Sequence, residues 1–222
     1  MDLDRPPDIV VVAGGRLVAP ALVAHVPADA RVVAADAGVD LARALGWAVD
    51  VAVGDFDSIT AHAHRALDDE VPDVRRFHAD KDASDLELAL EVAAELASGD
   101  LRRVLVLGLE GGRPDHALAN LLVASAPRFA GLDVELVLEE GRAWVARHEL
   151  TGSLRAGQVV SLVPVHGDAT VSFSGVRWPL ERSTLPAGTT RGVSNEACGG
   201  PVSVTVHAGT VLCITPRPED PR

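Results

Sequence analysis

Cysteine is nearly absent. Cys198 and Cys213 are the only two in 222 residues, and their separation is not that of metal ligands. A disulfide scaffold and a zinc knuckle are therefore excluded, and a reduced, cytoplasmic setting is expected. Lysine is scarcer still, because Lys81 is the only one among 20 basic residues. A basic residue without special duty would be arginine in this chain, so Lys81 stands out. Positive charge as a whole is short, with a formal net charge of −12. That balance argues against nucleic acid or an anionic membrane as partner, and it favours a cation or an anion carried with metal. No apolar run approaches the length of a membrane span. The opening Met-Asp-Leu-Asp-Arg-Pro-Pro is acidic and broken, and does not read as a targeting segment. The eight histidines are scattered and form no zinc pattern.

What is present is a hydrophobic content of 47%, enough for one or two globular domains. Asp8 to Ala13, Arg31 to Ala35, Val51 to Val53, Val74 to Phe77, Val104 to Leu107 and Val134 to Leu138 read as short strands, and the first is a continuous apolar run suited to burial on both faces. Helices are expected between them, over Val39 to Leu45, Thr60 to Glu70, Leu86 to Ala97 and Ala117 to Ala126. This alternation predicts an α/β fold with a doubly wound, mostly parallel sheet. Near Gly141 the helical period disappears. Alternating runs at Val159 to Val163, Ala169 to Phe173, Val202 to His207 and Val211 to Thr215 predict a small antiparallel β-sandwich, with a hairpin at Ala208-Gly209. The expected domains are 1–141 and 142–222.

The chemistry gathers at the strand ends. Asp36 follows the second strand, Asp55 and Asp57 the third, Asp82 and Asp85 the fourth, and Asp115 the fifth. A parallel sheet brings such loops to one edge, where open α/β sheets bind ligands. Six carboxylates on one rim repel one another and call for a cation. Hard oxygen donors from several loops suit Mg²⁺, which also takes oxygens from substrate phosphates. Gly111-Gly112-Arg113 offers amides and a guanidinium at a helix start, a natural anion site, and Lys81 can supply a point charge. Each motif has a plainer reading as a turn or cap. Asp57-Ser58 can cap a helix, Gly14-Gly15 is no dinucleotide fingerprint, and Ser84 with Glu87 forms a capping box. The ordered set, taken together, favours the phosphate-and-metal reading.

That set resembles thiamin pyrophosphokinase: Ala-Asp-Ala-Gly at 35–38, Gly-Asp-Phe-Asp-Ser-Ile at 54–59, Lys-Asp-Ala-Ser-Asp at 81–85 and Gly-Gly-Arg-Pro-Asp-His at 111–116, with Asn120. Trp178-Pro-Leu180 and Ser194-Asn195-Glu196 are similar to the family's thiamin-side motifs, so the resemblance spans about Asp8 to Thr215. It implies an α/β domain holding Mg-ATP and a β-sandwich domain that completes a thiamin pocket across a homodimer. The implied reaction is attack of the thiamin hydroxyl on the β-phosphorus of ATP, with AMP leaving. The rival readings are another Mg-dependent phosphate enzyme such as a nucleotide hydrolase, and a non-catalytic thiamin or nucleotide sensor.

Position by position, the resemblance implies Asp55, Asp57 and Asp82 as metal ligands. It sets Asp36, Gly38, Lys81, Gly111, Gly112, Arg113 and Asn120 near ATP. Asp85 and Asp115 complete the polar pocket, with Asp85 also facing thiamin. Trp178 would stack on thiamin, beside Ser194 and Asn195. A thiazolium over an indole face gains about 0.5–2 kcal/mol, whereas the plainer reading of Trp178 is sandwich core. Trp47 and Trp144 read as packing. The chain departs from the family pattern at Ala37, Asp40, Ala48-Val49 and Ser84, none of which removes a carboxylate.

Overall fold

Short valine-rich strands such as Ile9–Val12 and Val51–Gly54, buried at every residue, need cover on both faces, and the first half of the chain supplies it with helices. The computed structural model describes residues 2–3, 5–16, 23–56, 67–78, 82–99 and 102–217. They fall into two compact units. One comprises Pro6–Ala124 with Val134–Glu139; the other comprises Met1–Arg5, Ser125–Asp133 and Glu140–Arg222.

The first unit is the α/β fold. Its strands are β1 (Ile9–Val12), β2 (Arg31–Ala35), β3 (Val51–Gly54), β4 (Asp73–Arg76), β5 (Arg103–Leu107) and β6 (Asp133–Leu138). They lie in the order β4-β3-β2-β1-β5-β6, and the pairs β1–β2, β2–β3, β3–β4 and β1–β5 are all parallel. Helices α1 (Gly38–Ala44), α2 (Asp85–Leu96) and α3 (Pro114–Ala124) follow β2, β4 and β5. Val10, Val12, Ala34, Ala52, Leu105 and Leu107 are buried on one face with Phe56 and Leu67. Arg103 and Glu135 are also buried there and form a 2.9 Å ion pair. Two desolvated charges are tolerated only when paired, so the contact disfavours any strand offset that separates them. Of the helix expected over 60–70, residues 57–66 lie outside the described residues, and 67–70 are helical.

The order matters for function. Strands run outward from β1 in one direction to β4 and in the other to β6, so the crevice between the loops after β1 and β5 is a topological switch point. Glycines let the two loops meet. The Gly15 amide donates to the Gly108 carbonyl at 2.8 Å, and a Cβ at Gly15 would collide with the carbonyl oxygens of Gly108 and Glu110.

The second unit is the antiparallel sandwich: β7 (Gly141–Ala146), β8 (Glu149–Leu154), β9 (Val159–Ser174), β10 (Leu180–Leu185), β11 (Asn195–Glu196) and β12 (Gly200–Pro216). Here the hairpin expected at Ala208-Gly209 is corrected. Those residues lie inside one long strand, with Ala208 opposite Thr170. The last two alternating runs are halves of β12, and the first two are halves of β9. Each strand is irregular near its middle: the register shifts around Ala208, and His166, Gly167 and Gly209 have positive φ. The physical reason is that a glycine-containing bulge and a glycine-containing turn have the same local chemistry. The halves then join different partners. The start of β9 pairs with the end of β12, which also pairs with β7; the end of β9 pairs with the start of β12, which also pairs with β8. Trp144, Leu150, Leu162, Val171, Phe173, Val204 and Cys213 fill the core between the layers. Burial pushes the Cys213 thiol up to about 12, so it stays protonated and inert.

Candidate active site

A cleft of about 340 Å³ opens in the α/β unit at the switch point. Its floor is Gly14 and Gly15 after β1 and Gly108 and Leu109 after β5; its walls carry Asp36, Asp85, Arg113, His116 and Asn120. The chain after β1, β2, β4 and β5 thus meets in one place, with polar side chains from the last three.

Each arrives for a local reason. Asp36 ends β2 with φ 46°, a left-handed conformation uncommon outside glycine, and its amide donates to the Val53 carbonyl at 2.8 Å. Asp85 opens α2, which Ser84 caps by accepting a 3.2 Å hydrogen bond from the Glu87 amide. Between the two acids lies Gly54. A Cβ there would come within 3.2 Å of both the Asp36 Cβ and Asp85 Oδ1, so only glycine leaves this much room between the carboxylates. Next along the chain, Phe56 is buried although its φ is 59°. Its ring anchors a strained loop in which Asp55, half-buried, is the residue before.

On the opposite wall, Pro114 starts α3, as suits a position whose N–H has no helical partner. Arg113 Nη2 donates to Asp115 Oδ2 at 2.6 Å and its Nε to Oδ1 at 3.3 Å. This fork holds the Asp115 carboxyl down at about 2. Asn120 faces the cleft and fastens α3 to the loop after β5, its Nδ2 donating to the Leu109 carbonyl at 2.8 Å.

Of the residues named from sequence, Asp36, Asp85, Gly111, Arg113 and Asn120 line the cleft. Gly112 lines an adjoining recess of about 300 Å³, with Arg16 and Arg113. Gly38 is buried under β1, where a Cβ would collide with the Val12 carbonyl oxygen. Asp55 and Asp82 are not among the cleft residues; Asp82 is exposed just before α2. Asp57 and Lys81 lie outside the described residues. Among the described residues, no three acidic, histidine or cysteine side chains converge on one point. His116, the last residue of the 111–116 motif, also lines the cleft although no role was given to it; Gly14 and Gly15 belong to it too, although sequence reasoning set the pair aside for want of a fingerprint. Their signal is strand order, which brings β1 beside β5.

A second polar cluster sits in the sandwich unit. Trp178 is 52% exposed, so it is not core. Asn195, only 6% exposed, lies behind it: Nδ2 donates to the Trp178 carbonyl at 2.7 Å, and Oδ1 accepts from the Trp178 amide at 3.1 Å. Ser194 is exposed with φ 61°, and its amide donates to Ser161 Oγ at 3.0 Å. Trp144, by contrast, is buried in the sandwich core, and Trp47 packs against the α/β core.

Comparison with known proteins covers both units. Residues 25–136 match the family described as thiamin pyrophosphokinase, catalytic domain, and residues 147–211 match thiamin pyrophosphokinase, vitamin B1 binding domain. The chain is 27% identical over 149 residues to a thiamine pyrophosphokinase of Bacillus subtilis, covering 65% of this chain and 68% of that protein. A crystal structure of thiamin pyrophosphokinase from Geobacillus thermodenitrificans superposes with a TM-score of 0.79 at 27% identity, covering 96% of this chain and 98% of that one. The enzyme from Candida albicans, at 14% identity, shares the fold with a TM-score of 0.74 over 94% of this chain and 89% of its own.

Proposed function

The chain belongs to the thiamin pyrophosphokinase family, and from that premise we propose how its residues divide the work. The reaction moves the pyrophosphoryl group of ATP to the hydroxyl of thiamin, giving thiamin diphosphate and AMP. The observation that carries the assignment of roles is the cleft. Asp36 after β2, Asp85 after β4, and Arg113 and Asn120 after β5 belong to the family's ordered motifs and line one cavity at the switch point.

Nucleotide binds along the glycine floor. Gly111, Gly112 and Arg113 receive the phosphates, where the start of α3 favours negative charge. Arg113 exchanges its fork on Asp115 for a phosphate, a geometry a guanidinium matches equally well. Both side chains are well exposed, so the contact given up is weak. Asn120 keeps the loop after β5 against α3, Asp36 bounds the cleft opposite, and Lys81 adds a charge to the triphosphate. Gly38 acts by letting α1 approach β1.

The donor set fits Mg²⁺: Asp55 and Asp57 after the third strand and Asp82 after the fourth are hard carboxylates, with no sulfur or imidazole among them. Bound there, Mg²⁺ would neutralise charge on the transferring phosphates. The chain's own contribution is to present Asp55 from a loop anchored by the buried ring of its neighbour Phe56. Asp85 faces thiamin from the start of α2.

Thiamin stacks its thiazolium on Trp178, whose exposure supports that role. Ser194 offers its hydroxyl beside the ring. Asn195 works through Trp178, because its buried amide is engaged by the Trp178 backbone. The protein works as a cytoplasmic homodimer. Free Cys198 and Cys213 support a reducing setting, and exposed Leu118 and Leu122, one turn apart on α3, support cover by a second copy.

Chromatography of the nucleotides tests the reading. AMP is expected only when thiamin, ATP and Mg²⁺ are all present, and Asp55→Asn is expected to lower turnover about 100-fold or more without unfolding the protein. Formation of ADP, or AMP without thiamin, would overturn it.

A further inference from the structure

The indole of Trp178 is not bare. The guanidinium carbon of Arg177 lies 4.6 Å from its ring centroid. The same guanidinium is also held by Glu196, with Nη1 to Oε2 at 3.0 Å. The arrangement is fixed by backbone contacts. Arg177 N donates to the Glu196 carbonyl at 2.8 Å, Val176 bridges Ala197, and Asn195 clamps Trp178. Yet the guanidinium itself is only lightly held, since the side chains of Arg177 and Glu196 are 60% and 41% exposed. The contact therefore places a cation on the ring with little to hold it there.

We propose that Arg177 is a resident stand-in for the cationic ring of the substrate. It occupies the indole face until a thiazolium displaces it, and Glu196 passes from one cation to the other. This rests on the reading of Trp178 as the thiamin platform. The exchange conserves charge: one cation leaves the indole face and its contact with the carboxylate, and another takes its place. A neutral heterocycle of the same shape displaces the guanidinium equally well but leaves Glu196 without a counter-charge. The device therefore selects a cationic aromatic ring and sets its affinity below what the bare indole would give. Sequence adjacency alone does not predict this, because consecutive residues in extended chain point to opposite sides.

Calorimetric titration of the full-length protein with thiamin, in parallel with steady-state kinetics, tests it. Arg177→Met keeps a long apolar stem and removes the charge. It is expected to bind thiamin about two- to five-fold more tightly, as suits removal of an exposed cation–π contact and its surface ion pair, with ATP affinity unchanged. A gain in affinity is not an outcome of damaged structure. Glu196→Gln is expected to narrow the preference for thiamin over its neutral thiophene analogue. Trp178→Leu is expected to weaken thiamin about ten-fold and leave ATP alone. If Trp178→Leu binds thiamin normally, the platform reading fails and this inference with it. If Trp178→Leu behaves as expected but Arg177→Met binds thiamin equally or more weakly, Arg177 is not a competitor and only the inference falls. An unchanged thiamin-to-analogue ratio in Glu196→Gln overturns the carboxylate exchange.

Discussion

Asn195 grips Trp178 by its own peptide groups, donating to the carbonyl at 2.7 Å and accepting from the amide at 3.1 Å. The same Oδ1 accepts from the Glu196 amide at 2.9 Å. One buried side chain thus satisfies backbone on two segments seventeen residues apart and sets where an exposed indole stands.

Removing that side chain has two separable effects. Asn195→Ala leaves part-buried backbone groups without this partner, which costs about 1 kcal/mol of stability. It also frees Trp178, so the thiamin KM is expected to rise while the ATP KM stays constant. Urea unfolding and substrate-saturation curves read the two effects. A change in both KM values alike would show that Asn195 serves the fold only.

Gly54 separates Asp36 from Asp85, and its φ of 148° is one that other residues rarely adopt. Gly54→Ala is expected to destabilise the protein by more than about 1 kcal/mol and to lower turnover, because the new Cβ presses on both acids. Thermal melts with rate measurements check this. A fully active, equally stable Gly54→Ala protein would show that the gap between the acids has no function.

Ser84 and Asp85 are neighbours with different duties. Ser84→Ala removes the acceptor for the Glu87 amide and is expected to cost about 1 kcal/mol while turnover changes little. Asp85→Asn gives up a first-turn charge worth about 0.3–1 kcal/mol, so its melting temperature is expected to move little. Its turnover is expected to drop at least ten-fold, since Asp85 lines the cleft. Loss of stability with retained activity in Asp85→Asn would reduce the segment to helix capping.

Asp115 titrates at about 2 because Arg113 hydrogen-bonds to it. A carboxyl whose folded value lies below its unfolded one adds stability above the unfolded value, about 4, and loses it as pH falls through the folded one. The pair therefore stays charged at neutral pH, and no step in a pH–rate profile near neutrality is expected from it. Arg113→Gln is expected to return the Asp115 carboxyl toward the ordinary range near 4 by carbon-detected NMR titration, and to raise the ATP KM.

The α/β half was legible in the chain because its signals are local. Strands such as Ile9–Val12 and Arg103–Leu107 are covered on both faces and so read as unbroken apolar runs. The Ser84 cap was legible for the same reason, since the acceptor and its amide are three residues apart. The ordered acidic motifs were visible too, and with them the family.

Tertiary structure decided what depends on residues far apart in sequence. Which strand lies beside β1 is set by packing across the whole sheet, so the cleft between Gly14-Gly15 and Gly108-Leu109 had no local signature. The bulged middles of β9 and β12 read as turns, because glycine offers the same freedom to both, and only their mutual pairing distinguishes them. The sequence by itself determined that carboxylates end the parallel strands and that Trp178 sits in a short motif. Long-range hydrogen bonding and ring contact decided that Asn195 stands behind the indole and Arg177 over it, since both depend on a strand pairing that no short stretch of chain encodes.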